Sequence, residues 1–325
     1  MIAPMLAVSA IDIDPKDPLS VLEVGDRPEP EAADGWTIVE VKATSLNHHD
    51  LWSLRGVGLS RERLPMILGC DAAGLDQDGN EVVVHAVIGN DSWHGDETFD
   101  PRRSLLSEKH QGTFAERVVV PRWNLLPKPP ELSFEQAACL PTAWLTAYRM
   151  LFTRGRVQPG ATILVQGATG GVATALTVLG SAAGARVWVT GRSERKRAQA
   201  VELGADQAFE PGARLPERVD AVFETTGQAT WAHSVRSLKP GGTIVISGAT
   251  TGDASPAELT RVFFLQLSVV GSTMGTRQEL ERLIRFCVEK RLRPVIHDTL
   301  PLADARQGFE LMLAGDMFGK IVFTV

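Results

Sequence analysis

Cysteine is scarce in this chain. There are three in 325 residues, Cys70, Cys139 and Cys287, far apart and none in a C-x-x-C pair. That spacing argues against a disulfide framework or a four-cysteine zinc site, and it fits a reducing, cytosolic compartment. Basic residues are not in excess either. The formal net charge is −6, and Lys and Arg are spread out apart from one short cluster, so nothing predicts a nucleic-acid partner. No apolar run approaches the length of a membrane span. The opening MIAPMLAVSAIDID has no basic leader before its apolar residues and soon turns acidic, which predicts a first strand rather than a signal peptide. What is present, 44% apolar and 22% charged residues, is an ordinary globular composition, and the length predicts two domains.

The first part of the chain reads as β. Alternation and flanking Gly, Pro and Asp predict strands over 37–43, 81–87 and 114–121. Between them, 88–111 is polar and without period, which predicts a long loop, mobile or functional. The segment PKPP at 127–130 punctuates the chain, and 133–152 then has helical spacing, with Ser133 as N-cap and Gln136 three residues on. From Ala161 strands and helices alternate: ATILVQG, VATALTVLGSAAG, ARVWVTG, SERKRAQAVELG, then VDAVFETTG, GTIVISG and LSVVGS. This alternation predicts a parallel sheet covered by helices. An amphipathic helix over 278–290 precedes a strand-rich tail ending in FGKIVFTV.

The chemistry begins at Gly167, Ala168, Thr169, Gly170, Gly171 and Val172. A strand precedes this hexamer, a helix follows, and a second strand lies about twenty residues on, which is the context of a dinucleotide-binding turn. Glycine lets backbone N–H groups approach a pyrophosphate, and the helix N-terminus stabilises its charge. The second strand ends at Gly191 with no acidic residue to receive a ribose 2′-hydroxyl. Arg192, Ser193, Glu194, Arg195, Lys196 and Arg197 follow. Arg192, with Ser193, Lys196 or Arg197, predicts a site for a 2′-phosphate and therefore NADPH.

The segments VKATSLNHHDLW, LPMILGCDAAG, GTFAERVVVP, LPTAWLTAYRML, ILVQGATGGVATAL, VDAVFETTG, LKPGGTIVISGA, VVGSTMGT and FGKIVFTV occur in that order. In them the chain resembles the medium-chain dehydrogenase/reductase superfamily over nearly its whole length. It looks most like the zinc-independent quinone oxidoreductase (zeta-crystallin-like) branch. The resemblance implies an α/β protein with a GroES-like, β-rich catalytic domain from 1–128 and 273–325. Around 129–272 it implies a Rossmann NADPH-binding domain with a doubly wound parallel sheet, an active site in the cleft between the two, and a homodimer. By position, Asn47 would lie near the nicotinamide ribose and Trp52 near the nicotinamide. Thr146 would stand beside the cofactor, Lys196 at the 2′-phosphate and Phe209 by the adenosine. Gly227, Gly248 and Ala249 would line the ribose and nicotinamide, with Ser272, Thr273 and Met274 near the carboxamide. Phe318, Gly319 and Lys320 would form the returning tail segment.

Departures from the zinc-dependent members are equally informative. Where those have Cys, a His-Glu pair and a third ligand, this chain has Asn47, Cys70 with Asp71, and Thr142. Asn, Cys and Thr make a poor zinc set, and 88–111 has no cysteines for a structural lobe. Without a Lewis acid, a conjugated acceptor is easier than a simple aldehyde. The expected reaction is hydride transfer to a quinone or an α,β-unsaturated carbonyl, including that of an enoyl reductase. Asn47, His49 and Thr142 are candidate donors to the developing oxyanion, and His49 is a candidate proton donor near neutral pH. Two alternatives stay open. One is a zinc-dependent alcohol dehydrogenase with unusual ligands, Cys70, Asp71 and His48 or His49. The other is an NADPH-binding protein without turnover. The pocket is expected to be apolar, lined by Trp52, 88–111, Trp144 and 262–267.

Overall fold

A computed structural model describes residues 4–90, 92–253 and 256–325. Its contacts divide the chain into two compact units, Met1–Thr142 with Gly275–Val325, and Ala143–Met274. The first division falls after Thr142 rather than at the expected 128, because the helix Phe134–Ala138 packs on strands of the first unit.

The first unit is built on the strand Trp36–Ser45. Its valines and alanines alternate with polar residues, so Thr37, Val39, Val41 and Ala43 are buried while Glu40 faces water. Antiparallel partners flank it: Asp71–Leu75 on one side, then Glu81–Val84 and Leu125–Pro127, with Arg117–Pro121 also pairing to it. The last strand, Lys320–Thr324, pairs with its C-terminal half, so the end of the chain returns to the sheet of the beginning. A second, three-stranded sheet holds Pro4–Ala10 between Leu22–Pro28 and Met66–Ile67. The core between these layers is aromatic at its centre. Phe114 meets Phe309 and Phe323 edge-on, with centroids 6.2 and 5.3 Å away.

The tail is less strand-rich than its sequence predicts. Between Ile296–Pro301 and Lys320–Thr324 lies the helix Ala305–Ala314, which buries Ala305, Gly308, Phe309 and Met312. That is the i, i+3, i+4, i+7 stripe of a core-facing helix. The segment 88–111 is also more ordered than a plain loop. It forms the short strand Ser104–Leu105, paired to Val87–Ile88, and a turn of 3-10 helix at Glu97–Phe99. Asp96 caps that turn, and Asp100 accepts from Asn90 N and Arg102 N.

Among the described residues the second unit carries a six-stranded parallel sheet. Its spatial order is Gln207–Phe209, Arg186–Thr190, Thr162–Val165, Val219–Glu224, Leu238–Ile246 and Ser268–Gly271. In chain order the first three strands are added toward one edge of the sheet and the last three toward the other, so the switch point lies between Thr162–Val165 and Val219–Glu224. Strand Thr162–Val165 is buried throughout, as a strand covered on both faces must be. The stretch expected as one helix over 133–152 is instead a series. Helical turns Phe134–Ala138 and Leu145–Tyr148 alternate with wider π turns at Leu140–Trp144 and Arg149–Arg154. No helix among the described residues is long and apolar enough to cross a membrane.

Candidate functional site

In the second unit, strand Thr162–Val165 runs through Gln166 into the glycine-rich turn and then the helix Gly171–Ala182. Gly167 has φ +87°, a conformation that only glycine adopts without strain. Gly170 is the N-cap and brings no side chain to the helix end, and a Cβ built there meets nothing within 4 Å. The helix therefore presents uncapped N–H groups over open space, which is how a phosphate is held. At the carboxyl ends of Leu238–Ile246 and Ser268–Gly271 in the same sheet, Ser247 Oγ and Ser272 Oγ are buried with no hydrogen-bond partner. Hydroxyls of this kind suit the polar groups of a dinucleotide.

The end of Arg186–Thr190 has the expected character. Gly191 donates from N to Phe209 O, and Phe209 packs edge-on against Trp188. Arg192 is exposed. Ser193 caps Glu194–Glu202 by accepting from Lys196 N, which leaves its hydroxyl hydrogen to give. Arg197 turns back toward the strand end. Its guanidinium donates to Gly191 O at 2.8 Å and lies 3.4 Å from Glu210. Gly227 has φ +90°, and a Cβ there would stand 2.4 Å from Gly252 O, so the turn after Val219–Glu224 needs glycine. Thr146 and Met274 are buried, Thr273 is exposed, and Trp52 and Phe318 are half-buried in the first unit. Trp144, expected to line the pocket, is wholly buried within its helix series.

The first unit gathers the remaining candidates around the start of helix His48–Leu54. Asn47 is its N-cap, and Asp50 accepts from Asn47 N at 2.8 Å and Gly69 N at 2.9 Å. Burial pushes the Asp50 carboxyl up to about 7 despite those two donors. Asn47 Nδ2 donates to Asp71 Oδ2 at 2.8 Å and Ser45 O at 3.2 Å, and Asn47 Oδ1 accepts from Lys320 Nζ at 2.5 Å. Both amide hydrogens are therefore spent, which corrects the expectation that Asn47 donates to substrate. Lys320 Nζ also donates to Leu46 O at 2.7 Å and lies 3.5 Å from Asp71 Oδ2, with only 2% of the residue exposed.

His49 also departs from its expected role. Its Nε2 lies 3.1 Å from Ser107 Oγ, and burial lowers its pKa to about 4, with Asp71 only partly opposing. At neutral pH the ring is uncharged, so it donates at most a hydrogen bond, not an imidazolium proton. Ser107 is the residue that sequence reasoning missed. It sits at φ +66° in the 88–111 segment, with Cys70 Sγ 3.5 Å from its hydroxyl. Cys70 Sγ donates to Leu106 O, and burial raises its thiol pKa well above the usual value, so it is an inert thiol. Thr142 Oγ1 is buried without any partner.

This donor set does not fit zinc. Asn47 offers an amide already filled on both atoms, Cys70 and Asp71 face different partners, and a buried ammonium occupies the space beside Asp71. Among the described residues no three His, Cys, Asp or Glu side chains gather as a metal site.

Residues 33–130 match the alcohol dehydrogenase GroES-like domain, and 171–289 match the zinc-binding dehydrogenase domain. The zinc-type alcohol dehydrogenase-like protein YogA of Leptosphaeria maculans is 30% identical, with 94% of each chain covered. The chain belongs to the medium-chain dehydrogenase/reductase superfamily. Other members of this superfamily differ in the activity they are named for. The acryloyl-coenzyme A reductase of Metallosphaera sedula is 28% identical over 93% of this chain and 96% of its own. The crystal structure of an NAD-dependent alcohol dehydrogenase superposes with TM-score 0.91 at 35% identity, covering 99% of this chain and 100% of its own. The fold is thus a GroES-like unit and a Rossmann-type parallel sheet, as in that structure.

Proposed function

We propose that this dehydrogenase/reductase is a zinc-independent, NADPH-dependent reductase of an α,β-unsaturated carbonyl or a quinone. The observation that carries the reading is the Asn47–Asp71–Lys320 cluster, in which Asn47, at a position where the resemblance puts a metal ligand, has its amide filled, and a buried ammonium lies beside Asp71. Its likeness to an acryloyl-coenzyme A reductase supports a conjugated acceptor. For the cofactor, Gly191 and exposed Arg192 replace the carboxylate that would receive a free 2′-hydroxyl. The uncapped helix Gly171–Ala182 would hold the pyrophosphate, and Arg192, Ser193 and Lys196 the 2′-phosphate.

When bound, the reduced nicotinamide supplies hydride. This chain's part is to orient the acceptor and to meet the negative charge that moves onto its oxygen. The Thr142 hydroxyl, buried and unpaired, is the donor the site holds ready for that oxygen. Neutral His49, steadied by Ser107, adds a second hydrogen bond, and water supplies the product's proton. The chain acts as a homodimer through the edge strand Ser268–Gly271. Val269 is 47% exposed there, and nearby Leu259, Phe263 and Phe264 are at least 66% exposed, an apolar edge that asks for cover. A Val269→Lys variant sedimenting as a monomer, beside a dimeric wild type, is the expected result.

A second reading is kept by the 35% identity to an NAD-dependent alcohol dehydrogenase. One experiment separates the two: consumption of NADPH and NADH with quinones, enones, acryloyl-coenzyme A and simple aldehydes, with and without chelator. Chelator-insensitive NADPH turnover of conjugated acceptors is expected. Chelator-sensitive turnover of aldehydes with NADH overturns the proposal.

A further inference from the structure

A buried polar chain runs beneath the glycine-rich turn, and no step of the proposed reaction uses it. Gly167 donates from N to Thr190 Oγ1 at 3.1 Å, and Thr190 Oγ1 donates to Gln166 Oε1 at 2.8 Å. Gln166 Nε2 lies 2.9 Å from both His233 Nδ1 and Ser234 Oγ. Ser234 Oγ then donates to Glu224 Oε2 at 2.7 Å. The carboxylate also accepts from Thr230 Oγ1 and, at Oε1, from Thr226 N at 2.8 Å and Gly227 N at 3.0 Å. Gln166, Thr190, Ser234 and Glu224 are at most 1% exposed.

The chemistry leaves one direction for every proton. His233 Nε2 faces the carbonyl of Ala213 at 2.9 Å, so that nitrogen carries the hydrogen. Burial lowers the His233 pKa, so the ring is neutral and Nδ1 is bare. A bare Nδ1 needs a donor, which fixes the Gln166 amide with nitrogen toward His233 and oxygen toward Thr190. Thr190 has one hydrogen, spent on Gln166, so its lone pair is what Gly167 N–H meets. Ser234 likewise receives from Gln166 and gives to Glu224. The chain ends on a carboxylate that can only accept, and its other acceptances tie down the turn holding Gly227.

We propose that Gln166 is the positioning residue that locks the glycine-rich turn and the Thr225–Gly227 turn into one pyrophosphate-binding unit, through this proton-ordered chain from Gly167 N–H to the Glu224 carboxylate. The two turns abut, since a Cβ built on Gly167 would stand 3.8 Å from Thr226 Oγ1. Each turn on its own has a glycine at positive φ and so a soft backbone. Locking them makes the N–H groups of the glycine-rich turn converge before a ligand arrives, which removes an ordering cost from binding. The inference rests on the dinucleotide reading of that turn and not on the acceptor or the metal question.

The test is the affinity of full-length Gln166→Leu and Thr190→Val for NADPH and NADH, beside adenosine 2′-monophosphate, which lacks the pyrophosphate. Loss of the chain should weaken the dinucleotides about tenfold or more and leave the mononucleotide within about twofold. Thr190→Ser keeps the hydroxyl and should restore dinucleotide affinity, which distinguishes a directional hydrogen bond from packing alone. Equal weakening of all three ligands, or no weakening of the dinucleotides in either variant, overturns the proposal. A wild type that binds NADH but not NADPH overturns the cofactor choice above, and the comparison then runs with NADH alone against adenosine, which carries no phosphate. A wild type that binds neither dinucleotide overturns both.

Discussion

Lys320 donates from Nζ to Asn47 Oδ1 at 2.5 Å, and the same ammonium lies 3.5 Å from Asp71 Oδ2. All three side chains are buried, so the ammonium and the carboxylate compensate each other where water cannot. Replacing Lys320 by Met removes the cation and strands the carboxylate, the Asn47 oxygen and the Leu46 carbonyl together. The expected loss is about 3 kcal/mol of stability, read by urea unfolding at neutral pH. Adding Asp71→Asn to Lys320→Met should recover part of that loss, because the stranded charge goes too. Strictly additive losses would mean the two groups are not coupled.

His49 gives the protein a pH signature. Its folded pKa is about 4 against an ordinary 6.5, so between those values the folded state holds fewer protons than the unfolded chain. The stability tied to this group is therefore present above about pH 6.5 and is lost as pH falls toward about 4. Asp50 works with the opposite sign. Its folded pKa, raised to about 7 from 3.8, makes stability fall as pH rises through that interval. In the wild type the two slopes offset each other. His49→Gln removes its own slope and leaves the others, so the wild type should gain stability relative to the variant as pH rises from about 4 to about 6.5. Parallel profiles for the two proteins would mean that His49 titrates normally.

Much of this was legible in the sequence because the signals are local. The glycine-rich turn declares itself by Gly167, Gly170 and Gly171 between a strand and a helix, and Trp36–Ser45 by its alternation. The helix Arg277–Glu289 lies within one residue of the expected 278–290, since its apolar spacing and its Thr276 cap are both in the sequence. Other features depend on tertiary packing. A π turn keeps helical apolar spacing, so the wide turns around Thr142 and Arg149 look like ordinary helix. Ser107 reaches His49 only because 88–111 folds back with Ser107 at φ +66°, which no periodicity announces. Asn47 and Lys320 stood out as candidates by position. That they spend their hydrogen bonds on each other became visible only when the two ends of the chain met in one sheet.

Arg192 should decide between the two nicotinamide cofactors. Arg192→Ala removes the exposed cation that follows Gly191 at the end of Arg186–Thr190. A charge-assisted hydrogen bond contributes about 1.5–3 kcal/mol, so NADPH affinity should fall by about one to two orders of magnitude while NADH changes little. Fluorescence titration of both cofactors measures the ratio. A wild type that binds them equally would remove the basis for assigning a 2′-phosphate site.

Thr142 offers a prediction in which stability and activity move in opposite directions. Its Oγ1 is buried without a partner, and a buried polar atom left unpaired costs stability. Valine has the same shape without the hydroxyl. Thr142→Val should therefore be neutral or raise stability by about 1 kcal/mol in thermal or urea unfolding. If the hydroxyl meets the oxyanion, the same variant should lose about tenfold or more in kcat with little change in KM, because the bond is made chiefly in the transition state. Thr142→Ser should retain most of the turnover. A variant that is both stable and fully active would leave the hydroxyl without a catalytic part, and the stabilisation of the oxygen would then fall to His49 and backbone donors.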